Sequence, residues 1–317
     1  GSEFVRALLQ DKYSEFGLKP DQVIVIDALT YAGNLRNLAP ISDDKRYRFV
    51  HGNINDYKLM LDISQQCDLI VNFAAESHVD RSIENPAIFI ETNVLGTYTV
   101  LEVAQRNKVK RVIQVSTDEV YGSIKNGSWN EDSPLIPNSP YAASKASADL
   151  LARSYFKTFG LDVITTRCCN NYGPYQHHEK LIPQLISRIL QDESLPIYGN
   201  GLNVREWIHV SDHARAIGLI AVKGTGGDVY NIGSEEQVSI NQMIEIIQEI
   251  AGIRLKKNYL LDKPLGVRGR SSDNSLIREK IQWDTNIKLK TGLEKTYKWI
   301  FDQITTGINH NKFTNKY

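Results

Sequence analysis

The 317-residue chain carries no formal net charge, 37 Lys and Arg balancing 37 Asp and Glu. No overall field therefore draws it to nucleic acid or to an anionic membrane, and any phosphate site has to be assembled from local groups. It is poor in cysteine, with only Cys67, Cys168 and Cys169. An odd count without spaced pairs argues against a disulfide framework or a zinc site, and for a reducing compartment, the cytoplasm. Long apolar runs are absent as well. No stretch of 18 apolar residues and no basic-then-apolar leader occurs, so nothing reads as a membrane span or an export signal. Missing too is the strand and Gly-rich turn with which a dinucleotide fold opens, because the chain starts at Gly1-Ser2-Glu3-Phe4, already in a helical pattern.

What is present alternates regularly. Short β-rich apolar runs at Val23–Ile26, Arg48–His51, Leu69–Phe73, Arg111–Val115 and Val163–Arg167 are separated by amphipathic stretches, including Thr97–Asn107 and Tyr141–Phe159, with Asn93 and Asn107 near helix ends. This is the pattern of βαβ units building a doubly wound parallel sheet, a Rossmann-type α/β fold. Beyond Gly173, Pro and Gly become frequent and three further helices are expected at Leu181–Gln191, Ile240–Ala251 and Leu293–Ile304. The reading is a dinucleotide-binding domain over 1–173 and a smaller α/β substrate lobe over 174–317, interleaved with the first. The polar end from Gly307 to Tyr317 reads as loose.

The densest chemistry lies at Ser116-Thr117-Asp118-Glu119, followed by Tyr141-Ala142-Ala143-Ser144-Lys145. The strand ending near Val115 delivers Thr117, Asp118 and Glu119 to its C-terminal edge, where doubly wound sheets hold ligands. Tyr141 and Lys145, at i and i+4, share one helix face, so the ammonium is expected to lower the phenol's pKa and make it a base suited to alcohol oxidation. Two adjacent carboxyls split acid and base duties, because crowding like charges pushes one pKa up. Asp27, at the end of its strand, can accept the hydroxyls of an adenosine ribose and would repel a 2′-phosphate, which favours NAD over NADP. His177-His178-Glu179, and His209 with His213, do not read as metal sites, since neither has a completing ligand set.

Together with Asp27-Ala28-Leu29-Thr30-Tyr31-Ala32-Gly33-Asn34, Ala74-Ala75-Glu76-Ser77-His78-Val79-Asp80-Arg81-Ser82, Arg167-Cys168-Cys169-Asn170-Asn171-Tyr172-Gly173-Pro174 and Asn203-Val204-Arg205-Glu206-Trp207, these segments resemble the nucleotide-sugar 4,6-dehydratases of the extended short-chain dehydrogenase/reductase superfamily. Among them the resemblance is nearest to those acting on dTDP-glucose, and it weakens after about Gly233. It implies NAD as a catalyst that is regenerated, with Asn53, Ile54, Ala74, Ala75 and Thr92 lining the cofactor beside Asp27, Tyr141 and Lys145. Asn53 stands where the family has Asp. It implies C4 oxidation by Tyr141 with Thr117, removal of the C5 proton by Glu119, and proton donation to the departing C6 hydroxyl by a protonated Asp118. Asn170, Lys180, Leu181, Pro196, Tyr198, Arg205 and Arg268 would hold the nucleotide and its diphosphate, with Ser77, His78 and Thr117 near the sugar. A homodimer on a four-helix bundle is expected.

Two points depart from that pattern. Gly1-Ser2 matches the last two residues of the family's Gly-rich turn, or is a pair foreign to the protein. The segment Lys263-Pro264-Leu265-Gly266-Val267-Arg268-Gly269-Arg270 is more similar to that of GDP-mannose 3,5-epimerases. A 3,5- or 4-epimerase on the same scaffold therefore stays open as the alternative, opposed by Asp118-Glu119 and by the absence of a Cys near the Glu119 position.

Overall fold

The computed structural model describes residues 1–124, 127–261 and 272–306; Arg268 and the segment from Gly307 to Tyr317 lie outside them. The first half of the chain runs α1 Ser2–Leu9, β1 Val23–Asp27, β2 Tyr47–His51, α2 Tyr57–Ser64, β3 Leu69–Asn72, α3 Val79–Glu84, α4 Pro86–Phe89, α5 Gly96–Arg106, β4 Arg111–Thr117, α6 Pro140–Phe159 and β5 Val163–Cys168. The second runs β6 Asn170–Tyr172, α7 Leu181–Leu190, β7 Leu195–Tyr198, β8 Val204–His209, α8 Val210–Lys223, β9 Val229–Ile232, β10 Gln237–Ser239, α9 Ile240–Ala251, β11 Lys257–Leu260, α10 Ser275–Ile281 and α11 Leu289–Thr305.

A four-stranded parallel sheet in the order β3-β4-β5-β9 forms the centre, and β1 pairs with β2 in a separate parallel ladder. Successive residues of β4 point to opposite faces, as strand geometry demands. Val112 enters a cluster with Val100, Leu101 and Ala104 of α5 and Ala152 and Tyr155 of α6. Its neighbour Ile113 enters another, with Ala216, Ile217 and Ile220 of α8 and Ile277 and Ile281 of α10. Helices therefore cover both faces, the doubly wound α/β arrangement expected from the alternation.

Helix α1 spans the two ladders. Phe4, Ala7 and Leu8 join the α8 side of the central sheet, Phe4 stacking obliquely on Phe73 at 5.6 Å. Val5 and Leu9 meet Val23 and Val25 of β1. A further core, built by Ile182, Leu185 and Ile186 of α7, Met243, Ile244 and Ile247 of α9, and Leu293 and Ile300 of α11, lies over β6, β7 and β8.

Candidate functional site

β4 is buried along nearly its whole length and ends at Thr117, where the chain tightens into a 3₁₀ turn over Asp118–Tyr121. Thr117 caps that turn: its Oγ1 accepts from Glu119 N at 3.2 Å and donates to Asp118 Oδ1 at 3.2 Å. The turn closes on Gly122 at φ +87°, where a Cβ would lie 2.2 Å from the Ile136 carbonyl, so only glycine can make this exit. Asp118 is left almost wholly buried, while Glu119 is partly open to solvent.

α6 begins against this turn. Ser139 caps it, Oγ accepting from Ala142 N at 3.1 Å, and Pro140 fills the first helical position, where its missing N–H is harmless. The cap fixes where the first turn starts, and so puts Tyr141 and Lys145 on the face toward β4. The Tyr141 phenol is in hydrogen-bond contact with Thr117 and faces Glu119, Cys168 and Asp118. Lys145 Nζ donates to the Val115 carbonyl at 2.7 Å.

The electrostatics differ from what the Tyr-x-x-x-Lys spacing predicts. Burial, reinforced by the Glu119 carboxylate, holds the Tyr141 phenol well above its usual pKa, against the Thr117 hydrogen bond. Burial likewise pushes the Lys145 ammonium below its usual value, against the pull of Asp149. Lys145 is thus turned to a strand carbonyl, and burial together with the carboxyls next to the phenol outweighs any lowering in this geometry.

One residue that holds this site together is not visible from the sequence as such. Asn93 lies in a wide π-type turn at Ile90–Leu95, between α4 and α5, and is almost wholly buried. Its Nδ2 donates to the Glu76 carbonyl at 3.0 Å and to Ser144 Oγ at 2.8 Å, its Oδ1 accepts from Glu76 N at 2.9 Å, and Ser144 Oγ donates to the Tyr141 carbonyl at 2.7 Å. One amide thereby pins the loop after β3 to the turn of α6 that carries the tyrosine. The only sequence signal is an Asn inside an otherwise amphipathic stretch, where it competes with helical hydrogen bonding.

Most of the expected cofactor residues outside α6 follow strand ends. Asp27 terminates β1, exposed, with Oδ1 accepting from Leu29 N at 2.7 Å. Asn53 follows β2 and spends its Oδ1 on Asn55 N at 2.9 Å, while Ile54 packs so closely on Gly96 that a Cβ there would come within 2.4 Å of its Cδ1. Ala74 and Ala75 follow β3, the Ala74 N–H donating to Asn72 Oδ1 at 3.2 Å. Thr92 is half-buried in the π-type turn beside Asn93.

Of the expected substrate residues, Lys180, Ser77 and His78 come together, and Glu119 acts on the Lys180 charge. Lys180 Nζ donates to the Ser77 carbonyl at 3.2 Å and lies near Ser77 Oγ at 3.5 Å, and it faces Glu179, Glu119 and Arg81. His78 caps α3, Nδ1 accepting from Arg81 N at 3.5 Å, and burial pushes its pKa down. Leu181 opens α7. Asn170 donates to the Glu206 carbonyl at 3.1 Å, tying β6 to β8. Pro196 and Tyr198 lie on β7, and Arg205 Nη1 donates to Val204 O on its own strand at 2.9 Å; these three belong to the region built on the α7–α9–α11 core. Among the described residues no three His, Cys, Asp or Glu side chains gather where they could hold a metal ion.

Comparison with known proteins gives this site a context. The family model described as GDP-mannose 4,6 dehydratase matches residues 1–296. A dTDP-glucose 4,6-dehydratase of Streptomyces niveus is 46% identical over 303 residues, covering 95% of this chain and 90% of that protein. The crystal structure of a dTDP-glucose 4,6-dehydratase from Streptomyces venezuelae with NAD bound superposes with a TM-score of 0.94 at 48% identity, over 96% of this chain and 95% of the other. A UDP-glucuronic acid 4-epimerase from Bacillus cereus superposes with a TM-score of 0.88, over 95% of this chain and 96% of the other, but at 28% identity. On the length of the family match and the identity to its relatives, the chain belongs to the GDP-mannose 4,6 dehydratase family.

Proposed function

We propose that this chain is a hydro-lyase of deoxysugar biosynthesis that converts dTDP-glucose to its 4-keto-6-deoxy sugar by NAD-dependent 4,6-dehydration. The observation that carries this reading is the Asp118-Glu119 pair, mounted on a capped turn against the Tyr141 phenol. A 4-epimerase shares the fold at a TM-score of 0.88, so the fold does not choose between the two reactions. The carboxyl pair does: elimination of water needs one group to take a proton and one to give it, whereas oxidation and re-reduction at C4 need neither.

The side chains present suit NAD. Lys145 uses one of its three donors on Val115 O, which leaves two for ribose hydroxyls. Asp27 uses one carboxylate oxygen on its own turn, which leaves the other to accept the adenosine ribose, and its charge disfavours a 2′-phosphate. Ala74 and Ala75 are small enough for close approach of a ligand to the backbone. Bound there, NAD would supply the hydride acceptor for oxidation at C4 and the hydride for reduction at C6, and its oxidised ring would add a positive charge to the site.

In this reading Tyr141 takes the proton of the C4 hydroxyl, its phenolate supported by the Thr117 hydroxyl and by Lys145. The resulting C4 carbonyl acidifies C5–H. Glu119, on the open side of the turn, removes that proton, and the buried Asp118 gives one to the departing C6 hydroxyl. Lys180, bridging to Ser77 and near Glu119, would close on the diphosphate as a point charge, with Asn170, Leu181, Pro196, Tyr198, Arg205 and Arg268 completing the nucleotide site.

The assembly we propose is a homodimer. Ile88, Leu95, Tyr98, Leu150 and Phe159 are exposed along α4 to α6, an apolar surface suited to pairing α5 and α6 with their symmetry mates as a four-helix bundle. Three free thiols suit a cytoplasmic protein, and among the described residues no helix is long and apolar enough to cross a membrane. The function is tested by incubating the protein and NAD with dTDP-, UDP-, CDP- and GDP-hexoses and weighing the products. Loss of one water from dTDP-glucose supports the reading; an isomer of unchanged mass would establish an epimerase instead. Light scattering that shows a monomer at micromolar concentration would remove the dimer.

A further inference from the structure

Asp149 lies one helical turn beyond Lys145, on the α6 stripe that already carries Tyr141, and the reaction as described does not use it. It is almost wholly buried, and so is its partner Arg167 on β5, whose Nε donates to Asp149 Oδ2 at 3.0 Å. The same guanidinium reaches the other half of the site. Arg167 Nη1 donates to the Tyr121 hydroxyl at 2.8 Å and to the Glu131 carbonyl at 3.1 Å, and its carbon lies 4.9 Å from the centre of the Tyr121 ring. Tyr121 is the last residue of the turn that bears Asp118 and Glu119; its hydroxyl donates to Asn231 Oδ1 at 2.8 Å and its ring stacks on Trp129 at 5.4 Å.

The charges around Lys145 give this pair a direction of action. Burial works against the ammonium; Asp149 from its own helix and Cys168 from β5 favour it, and β4 presents the neutral Val115 carbonyl. Glu119 and Asp118, from the turn, face the phenol. Burial pushes the Asp149 carboxyl above its usual value, opposed by Arg167 from β5, the Ser116 hydroxyl from β4 and Lys145 from α6, which favour its charged form. Of the carboxylates near the site, Asp149 is the one that acts on the lysine, and a fixed arginine fork keeps it in place.

We infer that Asp149 is a positioning residue for dehydration: anchored by Arg167, it holds its carboxylate one turn behind Lys145 on the helix stripe that carries Tyr141, while the same arginine, through Tyr121, sets the Asp118-Glu119 turn against that helix. The inference rests on the assignment of Tyr141 to C4 oxidation and Glu119 to the C5 proton. A plain core ion pair between α6 and β5 would show the same distances, so the test must separate the two catalytic steps.

Asp149→Asn keeps the volume and an acceptor for Arg167 but removes the charge facing Lys145. Two reactions are followed in the full chain with NAD. C4 oxidation is read in single turnover from the absorbance of reduced nicotinamide as a function of pH. Exchange of the C5 hydrogen of the 4-keto-6-deoxy product with deuterated solvent reads the Glu119 step without net oxidation. Asp149→Asn is expected to slow oxidation about tenfold near neutral pH and to move its alkaline limb down by about one pH unit, as loss of one neighbouring charge does, with C5 exchange changed less than about twofold. Arg167→Lys keeps a cation for Asp149 but cannot span Asp149 and Tyr121 together. It is expected to leave the alkaline limb in place and to slow C5 exchange about fivefold. Equal slowing of both reactions in Asp149→Asn with an unmoved limb, or no change in either, overturns the inference. If that variant does not fold, Arg167→Lys with unchanged C5 exchange overturns it. Failure of the wild-type chain to oxidise dTDP-glucose would instead overturn the function on which the inference rests.

Discussion

The β4–α6 edge and the β7–β8 end of the molecule are built on different terms. At the first, Thr117, Asp118, Tyr141 and Lys145 are all buried, and their positions are set by a strand end, a capped turn and a capped helix. At the second, the side chains expected to meet the nucleotide hang on short strands, with Tyr198 46% exposed and Arg205 only half-buried. The difference fits the work proposed for each. Proton and hydride transfer fail when groups shift by about an ångström, so they need rigid supports. Diphosphate recognition tolerates more, because charge acts over longer distances and a guanidinium can reach.

The sharpest way to break this comparison is at its rigid side. Tyr141→Phe is expected to lower kcat by a factor of about 10³, within the usual range for removing a positioned acid or base, while leaving the binding of NAD and nucleotide sugar measurable by calorimetry. Activity within about tenfold of wild type would remove Tyr141 from the chemistry. Glu119→Gln should act later and more selectively: hydride exchange at C4 continues, and elimination falls by a factor of about 10². Normal dehydration by this variant would show that Glu119 is not the C5 base.

The same contrast governs how much could be read from sequence. Strands and helices with strong periodicity were legible to within a residue or two, as at β1, β4, β5, α5 and α6. α11 starts at Leu289, four residues before the expected Leu293, since the turn before it carries no usual cap. α8 went unrecognised because it follows β8 without a loop and is capped by a histidine ring, His209 Nδ1 accepting from Ser211 N at 3.3 Å, in place of a Ser, Thr, Asp or Asn. The side chains proposed as catalytic stand close together in sequence, which is why the pattern drew attention to them. Their supports do not: Asn93 meets Ser144 across 51 positions and Lys145 meets the Val115 carbonyl across 30. Helix spacing says which face Tyr141 and Lys145 share, but not that burial and the Glu119 carboxylate hold the phenol up.

A smaller effect is expected at the cofactor end, where Asp27 is exposed and acts through its charge. Asp27→Ser should leave NAD usable but weaken it by about tenfold, the loss of a charge-assisted hydrogen bond, and bring NADP closer to NAD. Titration of both cofactors checks this. An unchanged preference would place the adenosine ribose elsewhere.

An effect of the same scale belongs to the nucleotide side of the comparison, at Arg268. Its segment departs most from the dehydratase pattern and lies outside the described residues, but its two flanks are informative. Upstream, β11 pairs in parallel with β7, the strand of Pro196 and Tyr198. Downstream, Ser272 N donates to Glu206 Oε2 at 2.9 Å, and Glu206 is the neighbour of Arg205 on β8. That carboxylate also accepts from Ser234 N at 2.7 Å and Glu235 N at 2.9 Å, so the end of the segment is fastened to the strand that carries an expected diphosphate ligand. A guanidinium between those flanks would bind a group that does not change during the reaction, stabilising ground state and transition state alike. Arg268→Ala is therefore expected to raise KM for dTDP-glucose by about tenfold, the scale of one charge-assisted hydrogen bond, with kcat changed less than about twofold. A fall in kcat at constant KM would tie this segment to the chemistry and erase the contrast between the two ends; no change in either would separate Arg268 from the substrate altogether.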